Sequence, residues 1–432
     1  MKKSYPFLPG LLLFPLGAIF VVAPVSKLIW ATVGLLFLLK LGALIRNIQN
    51  SQPLPSGLGW LLYLFFWPGM RPESFCRGPS AKEAVGDRFV TGFLFFTGGI
   101  LIQLALFFVW DDLNCDLGAY LGLLSFFLLV HLGFSEILFS LVRTSGWPVE
   151  PLFQSPLRSS SLREFWGQRW NLAFVDMNKR LFLPLFPKNG NKSFTVFGIF
   201  IFSGLLHEVG ISYPAKGGWG GPFFYFVLQG FLTWVEPTIP FLKSRESLKK
   251  LWIWASLLIP LPFLFPSPFL NSFIIPYFEF GHKALRAMST KEILYWLVLT
   301  CGAGHLLILM ASFQVPGKLG WKNEFSRLGR FNQKIFWTYG GYIVFCIVAF
   351  ALVDLLNTRS LLEINSSSFA ISLFVALFWT VRIIVDFSYF KHVDWPQGDI
   401  FVIGHTCLTA LFSWLALTHW GLVVWQVLRP GV

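Results

Sequence analysis

Apolar runs long enough to cross a bilayer recur along the chain, near residues 8–23, 28–45, 90–110, 117–142, 193–213, 222–242, 250–276, 293–315, 335–357, 369–390 and 400–428. A helix needs roughly 20 consecutive apolar residues to span the hydrocarbon, and runs of that length set the class before any motif is read. Composition agrees. The chain is 55% hydrophobic and 13% charged, whereas a soluble domain carries about 25% charged residues, so most of this surface meets lipid. The expectation is an all-α polytopic membrane protein with about eleven transmembrane helices. The window 57–69, "GLGWLLYLFFWPG", is too short to cross and reads as re-entrant or interfacial.

A formal net charge of +13 in a soluble protein would suggest nucleic acid. Here the basic residues sit in loops, so the positive-inside rule accounts for them and no nucleic-acid partner is implied. Lys2, Lys3, Arg46, and the segments 71–88, 143–192, 243–250 and 318–334 fall on the cytoplasmic side, with the acidic "DDLNCD" at 111–116 on the other. The segment 277–292, with Lys283, Arg286 and Lys291, breaks this alternation if the Pro-rich 250–276 crosses once. Five cysteines without paired spacing signal neither a disulfide framework nor a zinc site. The basic, then apolar, Pro-interrupted N-terminus reads as a first anchor, not a removed signal.

Two stretches depart from this pattern of spans. Between 143 and 192 the chain stays out of the bilayer core for about fifty residues rich in Arg, Lys, Trp and Pro, and so long a loop in a compact protein is usually functional. Near 285 the texture changes from Pro-broken, Phe-rich spans to cleaner helices. That places one domain at 1–285 and a C-terminal helical module of unknown function at 286–432. Segments such as "VRIIVDFSYFKHVDWPQGDIFVIGH" look like a bacterial membrane module, so a multi-pass protein of a bacterial inner membrane is expected. Oligomeric state is open.

Within the long loop lies "SSSLREFWGQRWNLAF", residues 159–174. Ser161 and Glu164 fit a capping box, in which the Ser hydroxyl meets the N3 amide and the Glu carboxylate returns to the cap amide. A helix from there places Trp166, Trp170 and Phe174 on one face and Gln168, Asn171 and Asn178 on another. Arg163, Arg169, Lys179 and Arg180 complete the polar side. This is an interfacial amphipathic helix with indoles at the headgroup boundary. A helix that merely lies on the membrane would not need the amide stripe.

The next span contains "FSGLLHEVG", residues 202–210. His207 stands about fourteen residues past the start of the span, roughly 21 Å deep at 1.5 Å per residue, and ionisable groups near mid-bilayer are functional candidates by default. Ser203 and Gly204 at −4 and −3, with Gly210 at +3, leave a hollow beside the imidazole or let another helix approach closely. Glu208 points some 100° away and serves a neighbouring helix or loop. The competing reading is a structural His–Glu contact. A dry, neutral imidazole can take a proton from a hydroxyl as that oxygen attacks an activated carbonyl, while dryness protects a thioester from water. An amide such as Asn171 can orient or stabilise the reacting groups.

These two blocks resemble the membrane-bound O-acyltransferase (MBOAT) superfamily, in its wax-synthase-like branch. "SLREFWGQRWN" is similar to the family's Ser-Leu-x-(Asp/Glu)-Phe-Trp-Gly-x-Arg-Trp-Asn block and "SGLLHE" to its Ser-Gly-x-x-His-Glu block, with Asn171 and His207 36 residues apart. The resemblance covers residues 90–280 well and 1–90 loosely. It implies an MBOAT-like helical core with a tunnel, acyl-CoA as co-substrate and no other cofactor or metal, and a fatty or other lipophilic alcohol arriving from the lipid bilayer. Carried over, His207 is the catalytic base and Asn171 its partner. Trp166, Arg169, Trp170, Ser203, Gly204 and Glu208 belong to the motifs around the substrates. Arg163, Lys179 and Arg180, with Arg158 and Lys188, can meet CoA phosphates, or satisfy the positive-inside rule alone.

Other candidates are weaker. His305 and His405 can be imagined as a metal or haem pair, although interhelical polar contacts explain them as well. Arg382 and Asp386 stand i,i+4 and should pair. Asp386, His392, Asp394 and Asp399 gather near an interface without a diagnostic metal spacing. His131 and Glu136 read as structural and not catalytic, with lining a tunnel as the alternative. No HxxxD, HxxxxD, GxxxxGK[ST], GxSxG or HExxH pattern occurs, which leaves nucleotide hydrolysis and zinc proteolysis without residues. Two further functions stay open: an O-acyltransferase for a sugar, sterol or secondary-metabolite hydroxyl, and a transporter whose His207 and Glu208 relay protons.

Overall fold

The computed structural model describes residues 23–76, 84–187, 192–243, 245–390 and 396–428. All but the last residue of the anchor expected at 8–23, together with Lys188, His392 and Asp394, lie outside them. Among the described residues the regular elements are helices, and nine of these are long and apolar enough to cross a membrane. The chain is an integral, multi-pass membrane protein. Its contacts cluster into two compact units, Met1–Lys283 and Ala284–Val432.

Five of the spans belong to the first unit: Pro24–Gln49, Gly86–Asp112, Cys115–Thr144, Ser193–Ala215 and Glu246–Leu264. Two expected spans take other forms. The run at 222–242 yields a 15-residue helix, Gly221–Val235, because Glu236, Pro237 and Pro240 turn the chain into short 3₁₀ segments. The run at 250–276 is divided by Pro260 and Pro266 into Glu246–Leu258, Leu261–Leu264 and a new helix start at Ser267.

Small residues set how closely the spans pack. A methyl added at Gly99 would stand 2.8 Å from the Leu129 side chain, and one at Gly133 would stand 2.6 Å from the Phe96 backbone nitrogen. The Gly86–Asp112 and Cys115–Thr144 helices therefore meet backbone to backbone. The 57–69 window forms a short helix, Gly59–Leu61, and a π-helical turn, Leu62–Phe66. Its terminal carbonyls, Tyr63 O and Trp67 O, accept hydrogen bonds from the buried Lys40 ammonium, which also sits 4.2 Å from the Tyr63 ring centre. Sequence reading passed over Lys40, the one cation inside the run "LLFLLKLGALI".

Ion pairs fasten the long 143–192 segment to earlier parts of the unit. Arg71 grips Asp176 bidentately at 2.6 and 3.0 Å, and Arg180 bonds Glu73 and, at 2.9 Å, Asn47. Arg88 reaches Glu136 at 3.0 Å and Gln154 at 2.7 Å, which gives Glu136 its expected structural task.

In the second unit four long helices, Thr290–Lys318, Arg330–Leu356, Ser366–Ser388 and Asp399–Leu428, bury a cluster of polar groups. The carboxylate of Asp354 lies 3.3 Å from both His305 and His419, and the Trp379 indole N–H donates to His305 Nε2 at 2.9 Å. Arg382 pairs with Asp386 at 3.0 Å, as its spacing requires, and His405 meets the same carboxylate at 2.6 Å. His305 and His405 thus serve different carboxylates and do not form the imagined pair.

Candidate active site

The motif segment begins as expected and then departs from a simple helix. Ser161 Oγ accepts the Glu164 N–H at 3.0 Å, the forward half of a capping box. The return half is redirected, because Glu164 accepts from the Ser160 N–H at 2.7 Å and the Ser160 hydroxyl at 2.5 Å, and its other oxygen takes Arg169 Nε–H at 2.6 Å. The Ser160 donors and the Arg169 guanidinium hold the Glu164 carboxyl down to about 2. Glu236, at the end of the Gly221–Val235 helix, accepts the Leu162 N–H at 2.9 Å and docks the start of the segment.

After Leu162–Glu164 the chain makes a π-helical turn, Phe165–Arg169, and extends at Trp170. Asn171 then takes a left-handed conformation, φ 44°, ψ 63°, which Asn tolerates better than most residues. Its Oδ1 accepts the Phe174 N–H at 3.1 Å and starts a second helix, Leu172–Met177. The single amphipathic helix expected over this stretch is therefore two short pieces around a break at Asn171. Gln168 and Asn171 are exposed, and only Asn178 of the amide stripe is buried.

Aromatic rings fix the break in place. Trp170 is sandwiched between Phe165 at 5.4 Å and Phe127 at 5.4 Å, both nearly parallel to it. Trp166 Nε1–H donates to Gln229 Oε1 at 3.3 Å, and Gln229 in turn donates to Ser256 O at 2.7 Å.

His207 ends the helix Lys192–His207, and the chain continues as a π-helical turn, Glu208–Ser212. Its Nδ1 lies 2.7 Å from the Ser203 carbonyl. A carbonyl only accepts, so Nδ1 carries the hydrogen and Nε2 keeps its lone pair. The ring rests against Phe226, centroids 4.1 Å apart, a contact that sequence reading missed. Ser203 thus orients the imidazole through its backbone, one helical turn earlier.

A cavity of about 930 Å³ leads to this ring. Arg163, Trp166, Trp170, Asn171, Lys179, Ser203 and His207 all line it, as do Phe174 and Asn178. Its rim is apolar and open, with Phe194 71%, Trp234 60% and Phe231 48% exposed. Phe194 and His207 are 13 residues apart on one helix, so the cavity runs roughly 20 Å from rim to imidazole.

Four expected substrate-binding residues lie outside its lining. Arg169 is consumed by Glu164 and by the carbonyls of Gln154 and Ser155 at 3.0 and 3.3 Å. Arg180 is held by Glu73 and Asn47. Gly204 is a packing glycine, since a methyl there would stand 3.0 Å from Phe223 Cα. Glu208 Oε1 accepts the N–H groups of Gly220 at 3.0 Å and Phe223 at 2.9 Å, at the start of the Gly221–Val235 helix. The hollow and the close approach allowed by the small residues around His207 therefore both occur, on different sides.

Chemically, the site offers an oriented base at the end of a largely apolar passage. An amide stands beside that passage with its oxygen occupied and its NH₂ left as a donor, and two cations, Arg163 and Lys179, line the same wall.

Residues 147–228 match the model of the membrane bound O-acyl transferase family, in agreement with the resemblance carried by the two motif blocks. The chain is 30% identical over 170 residues to "Probable long-chain-alcohol O-fatty-acyltransferase 6" of Arabidopsis thaliana, covering 37% of this chain and 46% of that protein. It is 35% identical over 105 residues to "Acyl-CoA--sterol O-acyltransferase 1" of the same plant, covering 22% of this chain and 30% of that protein. It is 32% identical over 106 residues to "Long-chain-alcohol O-fatty-acyltransferase" of Simmondsia chinensis, again covering 22% and 30%. The chain thus spans less than half the length of these curated relatives. No solved structure matches it.

Proposed function

We propose that the unit Met1–Lys283 transfers a fatty acyl group from acyl-CoA to the hydroxyl of a lipophilic alcohol, making wax or similar esters. The observation that carries this reading is the imidazole of His207, fixed by the Ser203 carbonyl with Nε2 free, at the inner end of a 930 Å³ cavity. Nε2 takes the alcohol proton as the oxygen attacks the thioester carbonyl. The C–S bond then breaks, and the imidazolium returns the proton to the departing thiolate. The Asn171 NH₂ donates to the carbonyl oxygen as negative charge develops there. Arg163 and Lys179 meet the phosphates of CoA. The exposed Phe194–Phe231–Trp234 rim admits the alcohol from the bilayer.

A long-chain alcohol is the first choice of acceptor because two of the relatives above carry that substrate in their names. A sterol is the second, from the third name. Sugar or secondary-metabolite hydroxyls find no specific support. The relatives are plant proteins and lend nothing to a bacterial inner membrane. The proton-relaying reading is the less supported one, because Glu208 Oε1 is occupied by two backbone amides at the start of the Gly221–Val235 helix. No function is assigned to Ala284–Val432.

The test is a heterologous host fed long-chain alcohols, with its lipids analysed for esters. Wild-type protein should add wax esters and His207→Ala should add none at equal protein level. Equal ester from both removes His207 from the mechanism.

A further inference from the structure

The second unit buries ionisable groups that acyl transfer does not use. His305, Asp354 and His419 are each 0% exposed and come from three helices, Thr290–Lys318, Arg330–Leu356 and Asp399–Leu428. Asp354 Oδ2 lies 3.3 Å from His305 Nδ1 and 3.3 Å from His419 Nε2. An ionisable group inside a membrane span is a functional candidate by default, and a buried carboxylate without a counter-charge is strongly destabilising.

Counting hydrogens shows what balances that carboxylate. The Trp379 indole only donates, so His305 Nε2, 2.9 Å away, accepts. His305 is therefore neutral, with its hydrogen on Nδ1 toward Asp354, and a second proton on Nε2 would oppose the indole N–H. Neither ring nitrogen of His305 keeps a lone pair for a metal ion, and no metal-holding group of His, Cys, Asp and Glu occurs among the described residues. The surrounding helices offer Asp354 no other cation. Thr358 donates its hydroxyl to the Asp354 backbone carbonyl, Cys301 shares the helix of His305, and Arg382 pairs with Asp386 at 3.0 Å. The ion partners of Asp354 among the described residues are the two imidazoles, and with His305 held neutral His419 carries the balancing charge.

We infer that Asp354 and His419 share a single buried proton that locks the helices of the second unit together, a device independent of the acyl-transfer reading. Opening the unit exposes both groups to water. Above the ordinary imidazole value near 6.5 the opened pair holds no proton, and at about pH 5–6 the opened imidazole holds one. The closed pair holds one throughout this range. Closed and opened forms thus bind equally many protons at about pH 5–6, and the closed form binds one more above about pH 7. Where the closed form binds more protons its stability falls as pH rises, and a difference of one proton makes opening about tenfold more frequent per pH unit.

The experiment uses the full chain in lipid nanodiscs, with Cys76, Cys115, Cys346 and Cys407 replaced by Ala. Cys301, buried one turn before His305, then reports opening through its labelling by a maleimide. Each rate is divided by that of detergent-unfolded protein at the same pH, which removes the thiol's own titration. Opening should be level from about pH 5 to 6 and rise about tenfold per pH unit from about pH 7 to 9. His419→Gln leaves the proton to Asp354 alone, so its rise should start already near pH 5. Asp354→Asn combined with His419→Gln replaces the pair by two neutral amides and should show no such rise. A wild-type profile parallel to that of the double variant, or opening that grows as pH falls from about 7 to 5, overturns the shared proton. Should the double variant fail to fold, the onsets decide: the same onset in wild type and His419→Gln overturns it as well.

Discussion

Glu208 separates the acyl-transfer reading from a proton relay, and its contacts predict how. One carboxylate oxygen accepts two N–H groups, from Gly220 at 3.0 Å and Phe223 at 2.9 Å, where the first turn of Gly221–Val235 has no intrahelical acceptors. Hydrogen bonds to a charged group contribute about 1.5–3 kcal/mol each. Glu208→Ala removes the shared acceptor and leaves two half-buried donors without it, so a loss of about 3 kcal/mol is expected. Glu208→Gln keeps a carbonyl oxygen for the same two amides and gives up only the charge, so about 1 kcal/mol is expected. The assay is the unfolding temperature in detergent beside alcohol-dependent ester formation per folded molecule. Glu208→Gln should unfold slightly early and turn over nearly as the wild type does. Glu208→Ala should lose most of its folded protein, and the surviving fraction should keep its dependence on acyl-CoA. A Glu208→Gln protein with wild-type stability and no turnover would place proton chemistry on Glu208 and refute this reasoning.

Three further substitutions bear on the site and its frame. Asn171→Gly keeps the φ 44° backbone, which Gly adopts freely, and should cost only a few tenths of a kcal/mol as a cap. Turnover measured beside thermal stability should nevertheless fall about 100-fold if the Asn171 NH₂ supports the developing oxyanion. Glu164 is held at about 2 in the fold, below its ordinary value near 4.3. Its contribution to stability is present above pH 4.3 and disappears as pH falls through about 2. The gap in unfolding temperature between wild type and Glu164→Gln should therefore be constant above about pH 5 and close between about pH 4 and 2. Lys40→Met leaves the carbonyls of Tyr63 and Trp67 unpaired in the core and should cost about 2 kcal/mol, read as a lower unfolding temperature.

Much of this site was legible in the sequence because its signals are local. The Ser161 cap is set by a three-residue spacing, and Ser203 and His207 share a helix face by their i,i+4 spacing, although the bond from the imidazole to the Ser203 carbonyl was not read from it. The break at Asn171 was not legible, because neither Gly nor Pro marks it and the Trp spacing suits a continuous helix. It exists because Trp170 is clamped between Phe165 and Phe127, and Phe127 is a ring from a distant span. The four basic side chains near the motif look alike in sequence. Arg169 finds Glu164 five residues away, and Arg180 finds Glu73 and Asn47 more than a hundred residues away. Arg163 and Lys179 line the cavity. The helix Gly221–Val235 is shorter than its apolar run suggests, because Pro237 and Pro240 turn the chain after it, and Glu236 at its end docks the motif segment.

The most direct measurement is a single turnover of purified full-length protein in nanodiscs, with labelled fatty acyl-CoA and with or without a long-chain alcohol. Labelled ester is expected only when alcohol is present, with free CoA released in equal amount and neither product from His207→Ala. Ester formation at the wild-type rate by His207→Ala, or label that leaves CoA only as free fatty acid whether or not alcohol is supplied, would contradict the acyl-transfer reading.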